Sequence, residues 1–305
     1  MRFFALLLAV VAFPAARPAA AQKLDATPRT ALMTAFPPEW AALEGAVAAP
    51  VVHRVNGTTI LTGTLEGKPV ILAQSGVSMV NAAMTTQMLI DRFTVARVVF
   101  SGIAGGVDPK LDIGDVVVPA RWAQYMEVSL ARETPGGWVP PEAVEPGALA
   151  NYGMFFPRAV TVGSASEAAA PRRWFAADPG LVALAASVAA KVRLASCPPP
   201  AVKGTCLAHK PKLVTGGEGV SGPAFADNAK YREYLFATYH ASVLDMESAA
   251  VAHVAYANSV PFIAFRSLSD LAGGDAGANQ MTTFMALAAA NSAGVVRTFV
   301  AALPD

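Results

Sequence analysis

The sequence predicts an α/β protein, a sheet covered by helices on both faces, and two observations predict it. Short β-branched or apolar runs alternate with segments of helical periodicity from residue 30 to the C-terminal region, the pattern of elements layered over one core. The composition suits a buried sheet: of 305 residues, 54% are hydrophobic and 15% charged, too apolar for a disordered chain.

The first strand is expected at residues 30–34. Residues 58–65 and 68–74 read as a hairpin turning at Glu66-Gly67. Helical spacing covers 79–91, and strands follow at 97–101 and 115–119. A helix at 178–192, a strand at 212–215, a helix at 226–236 and a strand at 242–245 come next. Helix 247–258, strand 262–267 and a long helix from about 282 to 303 complete the order. Residues 132–211 break the alternation. They are rich in Pro, Gly and Ala, with Trp138, Tyr152, Phe155, Phe156, Trp174 and Phe175, and read as an insert decorating a single domain that spans 22–305.

Residues 1–21 read as a signal peptide. Arg2 opens it, residues 3–13 are apolar, and Ala19-Ala20-Ala21 offers an A-x-A cleavage site. The run is shorter than the roughly 20 residues of a spanning helix. Pro14, Pro18 and the missing amphipathic stripe argue against an N-terminal core helix. No later stretch is uniformly apolar at spanning length without charge or turn residues, so no membrane partner is expected. Cleavage before Gln22 would remove Arg2 and Arg17 and no acid, turning a net charge of +1 into −1. The mature protein is expected in the periplasm or medium. There Cys197 and Cys206, bracketing Pro198-Pro199-Pro200, are expected to pair; two free buried thiols are the alternative. The balance of 23 Lys+Arg against 22 Asp+Glu carries no basic surplus for nucleic acid. Two Cys and four scattered His make no metal-ligand spacing, and no metal or cofactor is expected.

In open α/β sheets ligands bind beyond the carboxyl ends of strands. The polar residues at those ends are Glu39, Ser75-Gly76, Ser101 to Gly106, Thr215-Gly216-Gly217, Asp245-Met246-Glu247 and Ser267 to Asp270. Three carboxylates at one rim, with glycines for close approach, suggest acid/base chemistry over a flat polar ligand. Gly217-Glu218-Gly219-Val220-Ser221-Gly222 has the form of a dinucleotide loop, but Pro223 and Phe225 stand where its helix should begin. No G-x-S-x-G elbow occurs, so a serine hydrolase is not expected.

Ser101-Gly102-Ile103-Ala104-Gly105-Gly106 followed by residues 111–118 resembles the glycine-rich segment of the nucleoside phosphorylase/nucleosidase superfamily. Asp245-Met246-Glu247-Ser248-Ala249-Ala250 looks like its ribose-binding motif, and Arg266-Ser267-Leu268-Ser269-Asp270 like its leaving-group motif. The match spans roughly 30–130 and 213–304. It is similar above all to the methylthioadenosine/S-adenosylhomocysteine nucleosidases and to the secreted plant bark and vegetative storage proteins. The resemblance implies a three-layer α/β/α fold around a mixed, phosphorylase/hydrolase-like sheet, a homodimer, and cleavage of a purine nucleoside at its N-glycosidic bond. It assigns Asp270 as the general acid and Glu39 as the base for water. Glu247 would grip the ribose hydroxyls, with Met246 beneath the sugar. Val77, Phe36, Ile103 and Val220 would line the pocket, while Ser269 and Arg266 would position the acid. Each acid has a plainer reading: Asp270 as a helix N-cap, Glu247 and Glu39 as first-turn helix acids. The phosphate-binding places of the phosphorylases hold Glu39 and Phe100, which favours water as nucleophile. Two positions depart from the nucleosidases. Ile103 stands in place of a small polar residue, and Gly219 in place of a Phe that stacks on the base; Phe225, Tyr231 or an aromatic of the insert are the candidate substitutes. An acid at 270 points to 6-aminopurines.

Overall fold

A computed structural model describes residues 22–143, 148–200 and 203–304. The signal peptide expected at 1–21 lies outside the described residues.

The chain opens with β1 (Asp25–Thr34), α1 (Pro37–Glu44), β2 (Ala48–Val55), β3 (Thr58–Leu65), β4 (Lys68–Gln74), α2 (Met79–Arg92) and β5 (Phe93–Gly106). Short strands follow: β6 (Val116–Val118), β7 (Arg121–Gln124), β8 (Val128–Leu130), β9 (Arg132–Thr134), β10 (Gly137–Val139), β11 (Phe155–Pro157), β12 (Val160–Val162), β13 (Ala170–Arg172) and β14 (Trp174–Ala176). Then come α3 (Pro179–Val188), β15 (Leu213–Thr215), β16 (Glu218–Ser221), α4 (Ala229–Tyr239), β17 (Ala241–Asp245), α5 (Ser248–Ala257), β18 (Phe262–Asp270) and α6 (Met281–Ala301).

Twelve of the described strands form one mixed sheet, in the order β14-β7-β16-β17-β5-β1-β4-β3-β2, with β18, β6 and β15 joined through β5. β5 is the hub. It runs parallel to β1 and β18, and its Gly105 and Gly106 pair antiparallel with Leu244 and Val243 of β17. The carboxyl ends of β1, β4, β5, β17 and β18 therefore converge. Two apolar layers sandwich the sheet. Leu43 of α1, Ala185 of α3 and Val295, Val296 and Phe299 of α6 pack on one face. Ala82 and Leu89 of α2 and Ala249 to Ala252 of α5 pack on the other. This is the expected α/β architecture. α6 has the length and apolarity to cross a bilayer, yet most of it is buried within the molecule, packed against β18 and β5.

Besides the short strands β7 to β14, three elements escape the sequence reading for physical reasons. β2 is an edge strand whose first five residues are exposed, so it has no apolar alternation to show. α1 begins at Pro37-Pro38 and buries only Glu39 and Leu43, too few positions for a helical period. β16 occupies the G-x-G-x-x-G segment as a strand paired with β7 and β17, so those glycines form no phosphate loop. Within residues 132–211, β9–β10 and β12–β13 form small hairpins and β11 pairs with β8. The later part is woven into the body, with β14 pairing β7 and α3 packing beside α6. Cys197 and Cys206 are joined in a disulfide.

Candidate active site

The converging strand ends enclose a cavity of about 210 Å³. Its walls come from five places. Ala35, Phe36 and Glu39 follow β1; Val77 follows β4; Ile103, Ala104 and Gly105 end β5; Leu244 to Glu247 end β17; Ser269 and Asp270 end β18. Ala224, Phe225, Ala226 and Met281 close the remaining side.

Glu39 sits in the first turn of α1, only 3% exposed. Its Oε2 accepts from the Ala35 N–H at 2.6 Å and its Oε1 from the Ile103 N–H at 2.8 Å. Burial raises its pKa above the ordinary carboxylate value, opposed by the charge of Arg266 and by these backbone donors. Glu247 is the N-cap residue of α5. Its Oε1 accepts from the Ser78 N–H at 2.7 Å. Ser78 holds a φ of 83°, a strained conformation for a residue with a side chain, and it delivers a backbone donor to this buried carboxylate. Burial, then the neighbouring Asp245 charge, push Glu247 up to about 7 against the pull of Arg266.

Arg266 lies fully buried beneath both acids. Its Nη1 is 3.9 Å from Glu39 Oε1 and its Nη2 3.7 Å from Glu247 Oε2. Its Nε donates to Ser248 Oγ at 2.9 Å and makes an ion contact with Asp245 Oδ2 at 2.7 Å. The guanidinium stacks over the Phe100 ring, 4.0 Å from its centroid, and Nη1 and Nη2 have no hydrogen-bond partner among the described residues. A Cβ on Gly102 would lie 2.0 Å from Nη1 and 2.3 Å from Glu39 Oε1, so only glycine lets this pair meet. Asp245, which sequence reasoning listed without a role, caps α5: its Oδ1 accepts from the Glu247 and Ser248 N–H groups and from Ser221 Oγ.

Asp270 lies at the other end of the cavity. Its Oδ2 accepts from Ser269 Oγ at 2.9 Å, and its Oδ1 from the Ala272 N–H at 2.9 Å. Asn279 Nδ2 donates to the same Oδ1 at 3.4 Å and to Asp227 Oδ1 at 3.1 Å. Burial raises the pKa of Asp270, and these three donors oppose it. Asn279 escaped sequence reasoning because it lies in a loop, nine residues past the acid, with no motif around it.

Of the expected residues, Glu39, Glu247, Met246, Val77, Phe36, Ile103, Ser269 and Asp270 line the one cavity. Two need correction. Val220 is fully buried on β16 among Ala123, Tyr125 and Leu244, so its side chain offers nothing to a ligand. Arg266 does not position Asp270; it organises Glu39, Asp245 and Glu247 at the opposite end. Gly219 also stays out of the cavity, and a Cβ there would lie 2.6 Å from the Trp122 ring.

Residues 29–301 match the phosphorylase superfamily. The chain belongs to that superfamily. Among members of the superfamily, it is 29% identical over 270 residues to the 5'-methylthioadenosine/S-adenosylhomocysteine nucleosidase of Anoxybacillus flavithermus, covering 88% of this chain and 97% of that one. It is 31% identical to the nucleosidase of the same description from Colwellia psychrerythraea, with 88% and 93% covered. The crystal structure of a C. psychrerythraea nucleosidase in complex with adenine superposes with a TM-score of 0.67 at 26% identity, covering 90% of this chain and 95% of that one.

Proposed function

We propose that this N-glycosidic hydrolase is an exported purine nucleosidase, which hydrolyses adenosine-type nucleosides (methylthioadenosine, S-adenosylhomocysteine, adenosine) to free base and sugar. One observation carries the reading. A buried Asp270, its pKa raised by that burial, stands at one end of a cavity, and a carboxylate pair gathered on one guanidinium stands at the other.

Glycosidic cleavage passes through an oxocarbenium-like sugar and needs a protonated leaving base and an activated water. Asp270, whose pKa burial raises, is the acid that gives a proton to a ring nitrogen of the purine as the C1′–N bond breaks. Water adds to C1′ and passes a proton to Glu39, whose two backbone donors fix its orientation. Glu247 accepts from the ribose hydroxyls, with Met246, Phe36 and Val77 packing around the sugar. Nη1 and Nη2 of Arg266 lie beneath both carboxylates, 3.9 Å from Glu39 and 3.7 Å from Glu247, and hold the pair together. The carboxyl groups of Glu39, Asp245 and Glu247 gather around one guanidinium, a setting that favours a developing positive charge on the sugar.

The same cluster disfavours a phosphorylase. Phosphate would enter among the carboxyl groups of Glu39, Asp245 and Glu247, with the Arg266 guanidinium already engaged by all three. Export rests on the N-terminal pattern and agrees with the Cys197–Cys206 bridge. A homodimer fits exposed Val77, Val80 and Met84, apolar side chains leading from the cavity rim along α2.

The test is base release by the mature protein from methylthioadenosine, adenosine and inosine, with and without phosphate. Adenine released without phosphate is the expected result. A requirement for phosphate, or no release from any nucleoside, overturns the hydrolase reading, and equal cleavage of inosine overturns the 6-aminopurine preference.

A further inference from the structure

We propose that Asn279 is a positioning residue for the general acid. Its amide reserves Asp270 Oδ1 as an acceptor, so that the transferable proton sits on Oδ2, and it steadies the carboxylate left when that proton has gone. The proposal rests on the nucleosidase reading above.

Asn279 is not among the residues lining the cavity and acts through Asp270. Its half-buried amide has one orientation open to it. Oδ1 accepts from the Met281 N–H at 2.9 Å, at the start of α6, so Nδ2 faces Asp227 and Asp270. A reversed amide would set its oxygen against two carboxylates and its NH2 against an N–H, like against like in all three contacts.

Asp270 Oδ1 therefore meets two N–H groups, from Ala272 and from Asn279, and neither can accept a proton. Oδ2 meets Ser269 Oγ, and a hydroxyl both gives and takes. With Oδ2 protonated, Ser269 accepts from the acid and turns its own hydrogen to Ala104 O, 3.4 Å away. The neutral acid thus keeps its proton on Oδ2.

The contact between Asn279 and Asp270, at 3.4 Å, is long for an amide donor. Bonds to an ionised acceptor are shorter and stronger, so this one gains most after Asp270 has passed its proton to the base. The charges around the acid make that steadying necessary. Asp275, which accepts from the Leu271 N–H, opposes ionisation of Asp270. Asp227 stands on the far side of Asn279. The cations nearby are committed elsewhere: Arg232 of α4 donates to Gly106 O, and Arg266 serves the other end of the cavity.

Without this donor the acid holds its proton more tightly, so the loss falls on kcat and on its pH dependence rather than on KM. Asn279→Ser keeps a hydroxyl for the turn into α6 but is too short to reach Asp270. Asn279→Leu keeps the bulk and loses the amide, so either variant that folds decides the matter. With methylthioadenosine, kcat is expected to fall about fivefold and KM to change by less than about twofold. The alkaline limb of the kcat profile is expected to move up by about one pH unit, whereas a merely structural role would lower Tm and leave the limb in place. The titration of Asp270 is also followed without substrate, by carboxyl 13C NMR, its signal assigned by its absence from Asp270→Asn. It is expected to move up by the same margin. A titration at the wild-type pH in the variants overturns the proposal, whatever their activity. A shifted titration with kcat and its alkaline limb unchanged overturns the role in the reaction. A shifted titration in a protein that cleaves no nucleoside upholds the hold of Asn279 on Asp270 and removes only the hydrolase reading.

Discussion

Asp270 must hold a proton that a free aspartate gives up near pH 4. Its surroundings pull both ways: burial favours the neutral acid, while Ser269, Ala272 and Asn279 all donate to the charged form. Such a balance suits an acid that gives up its proton during turnover and takes it back. Replacing Asp270 by Asn keeps the shape and removes the proton, and kcat should fall by at least about 10²-fold. Near-normal turnover in steady-state assays would remove Asp270 from the mechanism. Arg266 teaches a different lesson. Its nearness in sequence to the acid suggests a shared task, but β18 stays extended to residue 270. Four residues of strand separate the two by on the order of 13 Å, so they serve opposite ends of the cavity.

At the scale of elements, α6 carries a brace. Asn291 on α6 accepts from the Ala195 N–H and donates to Ala195 O, so the chain is held just before it enters the Cys197–Cys206 loop. Leu207, just beyond the loop, packs against Gly114. The disulfide closes a short loop with a separation of 9, worth about 2–3 kcal/mol in the unfolded chain's lost freedom. The acids lie on other elements, so reduction should lower Tm by several degrees, roughly 5 °C, with little change in kcat at 25 °C. Differential scanning calorimetry with and without reductant checks this, and two titratable thiols in the untreated protein would refute the bridge.

For the whole molecule, the anionic cluster has a thermodynamic consequence. Glu247 rises from its ordinary 4.5 to about 7 on folding. Across that window the folded state binds a proton that the unfolded state has lost, so stability from this group falls as pH rises from about 4.5 to 7. Glu247→Gln has no proton to lose. The wild type should therefore lose more Tm between pH 5 and pH 7 than this variant does, and parallel melting profiles would show that Glu247 ionises freely in the folded protein.

The sequence by itself determined the layered α/β class, because strand and helix periods alternate, and most of the cavity residues, because ligand sites gather at strand carboxyl ends. It also placed the two cysteines in one short loop. Periodicity cannot report elements with little buried face, so β2 and α1 emerged only in the tertiary structure. Nor could it report pairings across 169 residues, such as the Ser78 N–H with Glu247, or the reach of Asn279 to both Asp227 and Asp270. Above all, tertiary structure decided the partners of Arg266. A charge buried between three acids takes its role from whichever strand ends the sheet brings beside it, and here β18 brings Arg266 to the ends of β1 and β17.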